Sequence, residues 1–261
     1  MTRDELRAHL VVSRIAGEVA TPRSNNLRNY RLLSERDPGW LLGTSPRGEW
    51  SFEDVLALMA ERVGVSPDPS YTEGVDTIDP DRTVDRLDAL ADRVRQAADA
   101  RQRVLVATGH PAGLLPLHLE TARVLAAAGC EVLTPASGWS YQADTPRGPA
   151  RREVRYLNGV ATLHAGGGLA HTHSSRPMQA LLQALHEAGD PPPDLVVADH
   201  GWAGAAAHAG VDTVGYADSN DPALFVAEAE GTLVASVPLD DNVEPHLYEP
   251  LVSYLVDRVT A

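Results

Sequence analysis

Beyond residue 100, short apolar runs alternate with segments of helical periodicity, and polar clusters stand where the apolar runs end. Such alternation predicts a mostly parallel open sheet with helices on both faces. The carboxyl ends of parallel strands meet at one edge of a sheet, where ligands bind, so these clusters should share one crevice. The five clusters are Thr108-Gly109-His110, His171-Thr172-His173-Ser174, Asp199-His200-Gly201, Asp218-Ser219-Asn220-Asp221 and Asp240-Asp241-Asn242.

The fold class expected from this pattern is α/β, with a Rossmann-like three-layer core at residues 101–261 and an N-terminal helical cap at residues 1–100. The first hundred residues predict helices alone, including one over 25–35 and a long one that starts at Asp79-Pro80. Asn158-Gly159 predicts a hairpin turn, and residues 137–152 predict a long functional or mobile loop. Cap and core are expected to form one structural unit.

The composition narrows the classes of partner. With 22 basic and 36 acidic residues among 261, the formal charge is -14, which disfavours nucleic acid and anionic membrane surfaces as partners. The single cysteine, Cys130, excludes an internal disulfide. The first ten residues lack the apolar core of a signal peptide, and no apolar run is long enough to span a bilayer, so we expect a cytoplasmic protein. Homo-oligomer formation stays open.

The acidic clusters indicate a cation site. Asp199 directly follows a buried run and would act as a metal ligand or general base, or alternatively only cap the next helix. Asp218, Asn220 and Asp221 offer the oxygen ligands that Mg²⁺ prefers, although Asp221-Pro222 is also a common helix start. The third cluster, Asp240-Asp241-Asn242, is a weaker candidate because acidic turns are common on surfaces.

The histidine clusters indicate acid/base chemistry beside an anion. His171 and His173 would form a zinc pair or, as we favour, one acid/base group at a phosphate seat that includes Ser174. The segment from Thr108 to Gly113 brings His110 and two glycines to a helix start. It matches neither a Walker loop nor a dinucleotide fingerprint, and the chain has no Gly-x-Ser-x-Gly elbow.

Residues 21–30 form a polar, basic segment in an acidic chain. Arginines here would clamp a phosphate, or would simply be solvated at a capped helix start. The candidate phosphate ligands in this segment are Arg23, Asn25, Asn26 and Arg28.

Together these motifs resemble a group of actinobacterial proteins described simply as phosphatases, over nearly the whole chain. The segments that carry the resemblance are 21–26, 107–111, 171–174, 197–204 and 215–222. The core is also distantly similar to metal-dependent damage-control phosphatases that act on sugar phosphates. In those proteins an Asp-Asn pair follows the first core strand and holds the metal. Here Thr108-Gly109-His110 occupies that position, and the nearest substitute is Asp218 with Asn220.

The function expected is that of a metal-dependent phosphatase acting on a phosphomonoester of a small cytoplasmic metabolite, with Mg²⁺ as the first choice of cation and Mn²⁺, Co²⁺ or Zn²⁺ as alternatives. Two other functions stay open: a lyase or isomerase on a phosphorylated sugar, and a non-catalytic sugar-phosphate-binding protein. The expected catalytic residues are Asp199, His110, His171 and His173. Phosphate would contact Arg23, Asn25, Asn26, Arg28, Thr108, Gly109, Ser174 and His200. The metal ligands would be Asp199, Asp218, Asn220 and Asp221.

Overall fold

The computed structural model of the protein describes residues 1–145 and 148–261, and its strands fall into a small sheet and a large one. The small sheet is antiparallel and consists of β1 (Gly17–Pro22) and β2 (Val75–Ile78). The large sheet consists of β3 (Arg103–Thr108), β4 (Glu131–Val132), β5 (Ser140–Ala143), β6 (Ala150–Leu157), β7 (Val160–Ala165), β8 (Gly168–Leu169), β9 (Leu195–Asp199), β10 (Thr213–Ala217) and β11 (Ala235–Pro238).

Nine α-helices lie within these described residues, together with a short 3₁₀ helix at Pro245–Tyr248. They are α1 (Arg3–Val12), α2 (Arg23–Ser34), α3 (Phe52–Arg62), α4 (Pro80–Ala100), α5 (Pro111–Ala127), α6 (Arg176–Ala188), α7 (His200–His208), α8 (Pro222–Ala229) and α9 (Glu249–Thr260).

Local sequence signals account for where several elements begin and turn. Thr2 and Ser51 form capping boxes at the starts of α1 and α3. The predicted hairpin is confirmed: Asn158 and Gly159 both have positive φ, as a type I′ turn requires, and they join β6 to β7.

The large sheet is parallel along most of its width. Its order is β11-β10-β9-β3-β7-β6-β5, and β7, β3, β9, β10 and β11 run parallel. The β6 and β5 strands extend one edge in antiparallel fashion. The predicted mixed α/β architecture with a mostly parallel sheet is therefore confirmed.

The helices pack on the sheet in two groups. One group contains α4, α5 and α9, and the other contains α6, α7 and α8. The connections from β7 to β9, β10 and β11 run in one direction along the sheet, and the connection from β3 to β4 runs in the other. Because such crossovers are almost always right-handed, we expect the second group on one face and α5 on the other. Every parallel strand thus presents its carboxyl end to the same edge.

Two predictions about the elements are wrong. The first hundred residues are not only helical, since β1 and β2 pair there. Residues 137–152 are not one long loop, because β5 and the start of β6 pair within that range. The part of the predicted loop at residues 146 and 147 lies outside the described residues.

A buried ion pair anchors the N-terminal region. The Arg23 guanidinium donates to Asp76 Oδ2 at 2.6 Å, and neither side chain reaches solvent to more than 1%. Asn26 donates to the same oxygen at 2.9 Å. Arg23 also donates to the backbone carbonyl oxygens of Asp68 and Tyr71, so the pair fixes the segment that leads into β2.

No helix in the described portions of the chain combines the length and apolar character that crossing a bilayer requires.

We expect Asp76→Ala to lower the free energy of unfolding by about 3–5 kcal/mol, because it leaves the Arg23 guanidinium buried without its counter-charge. Urea denaturation followed by circular dichroism measures the loss. Arg95→Ala is the control, since it removes an exposed pair with Asp92, and it should cost about 0.5 kcal/mol or less. Equal losses for the two variants would contradict a stabilising role for the buried pair.

Candidate active site

The carboxyl edge of the large sheet opens into a crevice of about 510 Å³. All five polar clusters contribute at least one side chain to it, as the strand-end pattern predicts. The predicted site residues that line it are Asn25, His110, His171, His173, His200, Asp218, Asn220 and Asp221. Its walls also include Ala20, Thr21, Pro22, Ala112, Asp240, Asp241, Asn242 and Val243.

Four histidines form a compact cluster in the crevice. The ring centroids of His110 and His171 are 4.4 Å apart, those of His171 and His173 are 4.7 Å apart, and those of His173 and His200 are 4.6 Å apart. The pKa of His171 is lowered to about 4, first by burial and then by the neighbouring imidazoles of His110 and His173. Burial and His200 likewise lower the pKa of His173. Neutral imidazoles of this kind are good metal ligands.

His200 lies at the centre of the site. It is the first residue of α7 and adopts φ of +46°, which is uncommon for a residue other than glycine. Its Nδ1 lies 2.9 Å from Asp199 Oδ1, and a carboxylate acceptor there requires the proton on Nδ1. The Nε2 atom then faces Asp221 Oδ2 at 3.2 Å and Asp241 Oδ2 at 3.1 Å.

The neighbouring carboxylates control the pKa of His200. Burial by itself lowers its pKa, but the charge of Asp221 and the contacts with Asp199 and Asp241 raise the pKa well above the ordinary value. A protonated imidazole is one way to offset the surrounding carboxylates. A cation in the crevice is another, because metal ligation requires the neutral imidazole.

Asp199 does not line the crevice, although the sequence predicts a metal ligand or general base at this position. Its Oδ1 accepts from the Gly109 backbone N–H at 2.8 Å and from His200, and its Oδ2 lies 2.9 Å from Nε2 of the buried His118. It does not cap α7 through its side chain either. Burial opposes its ionisation, but the hydrogen bonds with His118 and His200 hold its pKa well below the usual range. Asp199 therefore supports His200 from behind.

Three further carboxylates converge opposite the histidines. Asp218, Asp240 and Asp241 each offer an oxygen atom, and the three atoms lie within 4.8 Å of one another. All three residues are buried. Burial, followed by the charges of Asp241 and Asp240, raises the pKa of Asp218 well above its ordinary value, and burial also raises the pKa of Asp240. The acidic turn of Asp240 and Asp241 thus lines the crevice, although its sequence resembles that of an ordinary surface turn.

Three predicted phosphate ligands at the strand ends have other partners. The Thr108 hydroxyl accepts from the His110 backbone N–H at 3.0 Å, and the Gly109 N–H is used by Asp199. The Ser174 hydroxyl accepts from the Arg176 backbone N–H at 3.3 Å. None of the three lines the crevice, so the structure does not support direct phosphate contacts by Thr108, Gly109 or Ser174.

The basic N-terminal segment is also used differently from the prediction. Arg23 and Asn26 cannot clamp a phosphate, because both are buried against Asp76. Arg28 is exposed, and its guanidinium carbon lies 5.3 Å from the centroid of the Trp40 ring. The Trp40 ring in turn meets His173 edge-on, with centroids 6.3 Å apart. Arg28 thus approaches the crevice only through Trp40, whereas Asn25 lies on its wall.

The N-terminal segment completes the site by binding the strand-end loops. The Thr21 hydroxyl donates to Asp218 Oδ2 at 2.6 Å, and the Ala20 N–H donates to Asp240 Oδ2 at 3.2 Å. From α2, Asn29 and Tyr30 donate to the backbone carbonyl oxygens of Asn220 and Ser219. Sequence reasoning missed these contacts, because β1 was not predicted and no local pattern links residues about 200 positions apart.

Two glycines allow close approach of the loops that carry ligand groups. A Cβ on Gly201 would lie 2.1 Å from the His173 carbonyl oxygen, so only glycine lets the 171–175 segment lie on the start of α7. A Cβ on Gly113 would lie equally close to the Asp241 carbonyl oxygen. These contacts set the positions of His173 and Asp241.

The charge of the crevice is unbalanced. Four aspartates line it, namely Asp218, Asp221, Asp240 and Asp241, and no arginine appears among its described lining residues. The chain contains no lysine. Among the described wall residues, the histidines are the side chains that can carry a positive charge beside these aspartates. Oxygen and imidazole donors in this density can hold one or more divalent cations, transfer protons, or do both.

The chain is similar to known proteins along its full length. The sequence model of the family described as Phosphatase matches residues 1–261. The chain is also 54% identical over 259 residues to Phosphatase SCO2771 of Streptomyces coelicolor, an alignment that covers 98% of this chain and 95% of the relative. The resemblance to actinobacterial phosphatases is thereby confirmed: this protein belongs to the Phosphatase family.

Proposed function

We propose that this protein is a metal-dependent phosphatase that hydrolyses a phosphomonoester of a small cytoplasmic metabolite, of the sugar phosphate or nucleoside phosphate type. Membership of the Phosphatase family and the name of the Streptomyces relative support phosphate-ester hydrolysis. Dependence on a cation and the monoester class are inferred from the crevice.

The observation that carries the proposal is the charge of the crevice walls. Four buried carboxylates converge where a dianionic phosphoryl group would have to enter, and no described arginine lines the walls to receive it. A phosphate dianion among carboxylates in a medium of low dielectric constant is strongly repelled. An anionic substrate therefore needs cations bound beside these carboxylates.

The residues present fit a divalent cation. Asp241 Oδ2, Asp221 Oδ1 and His110 Nδ1 are buried and make no hydrogen bond within the described structure, although Asp241 Oδ2 lies only 3.1 Å from His200 Nε2. Close approach without hydrogen-bond geometry is expected of atoms that share a cation. His173, His200 and Asp221 would hold the ion, and their donor atoms lie within 4.8 Å of one another. Asn220 stays a candidate ligand on the wall.

A divalent cation in this position would polarise a phosphoryl oxygen and increase the acidity of water in the crevice. The side chains of the protein have separate tasks. Asp199 holds the His200 ring in the tautomer that presents a free Nε2. His110 lies beside His171 and would donate a proton to the leaving alkoxide, whereas His171, whose pKa is lowered to about 4, would act as a neutral imidazole. The carboxylate oxygens of the crevice make Mg²⁺ the first choice of ion, and Mn²⁺, Co²⁺ and Zn²⁺ are the alternatives, of which imidazole ligands favour Co²⁺ and Zn²⁺.

We expect the purified protein to release inorganic phosphate from at least one compound in a panel of sugar and nucleoside phosphates. Dialysis against a chelator should lower the rate by roughly a hundredfold or more, and Mg²⁺, Mn²⁺, Co²⁺ or Zn²⁺ should restore it. Malachite green detection measures the release. The control is His246→Gln, because His246 is exposed beside Glu244 outside the crevice, and this variant should behave as the unchanged protein.

Phosphorus NMR separates the proposal from its alternatives. Hydrolysis yields free phosphate, whereas a lyase or isomerase leaves the phosphate ester intact in a new compound. A folded, metal-loaded protein that leaves the whole panel unchanged would contradict the proposal and favour a binding protein.

We expect Asp199→Asn to weaken cation binding by about 10–100-fold while the fold persists, because an amide cannot accept hydrogen bonds from three donors with both of its polar atoms. Isothermal titration with Mn²⁺ measures the affinity directly. Asp212→Asn is the matched control, since Asp212 is exposed and contacts Arg93 away from the crevice. Unchanged affinity in Asp199→Asn would show that Asp199 does not position His200.

We expect Arg28→Ala to raise KM by about two- to fivefold with little change in kcat, because an exposed charge contact contributes roughly 0.2–1 kcal/mol. The guanidinium of Arg28 stacks on Trp40, and Trp40 lies beside His173. This contact is the reason for the expected change in KM. Arg31→Ala removes the same kind of cation from the same helix, but Arg31 stacks on Phe52, so KM should not change. A parallel loss in both variants would point to general electrostatics.

A further inference from the structure

We propose that the crevice holds two cations in positions of unlike chemistry, one rich in imidazole and one made only of carboxylates, which share Asp241. The inference deepens the proposed function and rests on its claim that the crevice binds a cation. It adds to the proposed function a second ion, the residues that would bind this ion, and the class of metal expected there.

The imidazole-rich position is centred on His200. His200, His173 and Asp221 form one group of donors, and His200 forms a second group with His110 and His171. His200 and Asp221 are buried, and His173 is partly buried. Imidazole nitrogens favour Zn²⁺, Co²⁺ and related transition metals over Mg²⁺.

The carboxylate position lies beside it and contains no nitrogen donor. It consists of Asp218, Asp240 and Asp241, which are exposed to only 4%, 2% and 5%. Two neutral donors reach this group from β1, the Thr21 hydroxyl on Asp218 and the Ala20 N–H on Asp240. Neutral donors do not balance three buried negative charges, and an uncompensated buried charge is costly. A hard divalent cation such as Mg²⁺ prefers these oxygen ligands.

The geometry of Asp241 links the two positions. Its Oδ2 makes no hydrogen bond within the described structure, yet it lies 3.1 Å from His200 Nε2 and 3.6 Å from His110 Nδ1. Asp241 is thus within reach of the histidine groups and is also a member of the carboxylate group. A single residue that faces both groups allows two cations to occupy the crevice as neighbours.

Because the two positions offer different donor atoms, we expect them to bind different ions. The position with His173, His200 and Asp221 should take Zn²⁺ or Co²⁺, whereas the carboxylate position should take Mg²⁺ or Mn²⁺. Paired cations in phosphoryl-transfer sites stabilise both the attacking and the leaving oxygen. A substrate phosphoryl group would therefore bind in the space between the two groups of ligands.

The test counts bound ions in the full-length protein without using activity. The chelator-stripped protein is titrated with Zn²⁺ and then with Mg²⁺ by calorimetry, and the metal content after gel filtration is measured by mass spectrometry. We expect two ions per chain. Asp240→Asn should reduce the count to one and remove the Mg²⁺ step while Zn²⁺ binding persists. His173→Gln should weaken the Zn²⁺ step by about tenfold or more and leave Mg²⁺ binding in place.

Glu244→Gln is the matched control, because this exposed acid lies in the loop next to Asp240 and Asp241, and two ions should remain. Asp218→Asn serves as the second carboxylate variant if Asp240→Asn fails to fold, as judged by circular dichroism. One ion per chain in the unchanged protein, or two ions in both folded carboxylate variants, would overturn the second position while the proposed function stands. No bound ion at all would overturn both.

Discussion

The buried carboxylate of Asp199 is the interaction on which the rest of the site depends. It accepts hydrogen bonds from three elements at once: the Gly109 amide after β3, His118 on α5, and His200 at the start of α7. A fully buried charge is tolerated only when such partners surround it. In satisfying it, the fold fixes the central pair of strands, the helix packed on them and the ring orientation of His200. The chemistry of the crevice follows from that orientation.

The excess of carboxylates over cationic side chains in the crevice is the second constraint. It affects both the stability of the fold and the proposed function. Carboxylates from the loops after β10 and β11 crowd beside the histidine cluster without arginine or lysine in the described walls. This arrangement destabilises the folded chain on its own, since like charges repel most strongly away from water. Ions that bind the folded state and not the unfolded chain would offset that repulsion by mass action. Under the proposed function, the crowded carboxylates lower the intrinsic stability of the chain and at the same time provide affinity for cations.

The sequence predicted the core and the location of the site well, because strand ends in a parallel sheet must meet at one edge. It predicted individual side chains less well. Asp199 and His200 are adjacent, yet one points into the core and the other into the crevice, and no pattern distinguishes them. Arg23 resembles a phosphate ligand until Asp76 is placed beside it by a pairing of β1 with β2. His118 carries no signal, since a single histidine on a buried helix face has no characteristic spacing.

The contacts of β1 with the strand-end loops have a consequence for biogenesis. Thr21 meets Asp218, and Ala20 meets Asp240, across almost the entire length of the polypeptide. Contacts of such sequence separation form late in folding, because closing the chain costs entropy before the contact is gained. During synthesis on the ribosome, the acidic loops emerge long after the N-terminal strand β1. Incomplete chains therefore cannot assemble the full carboxylate group of the crevice, so the proposed cation binding requires a chain that extends through Asp241.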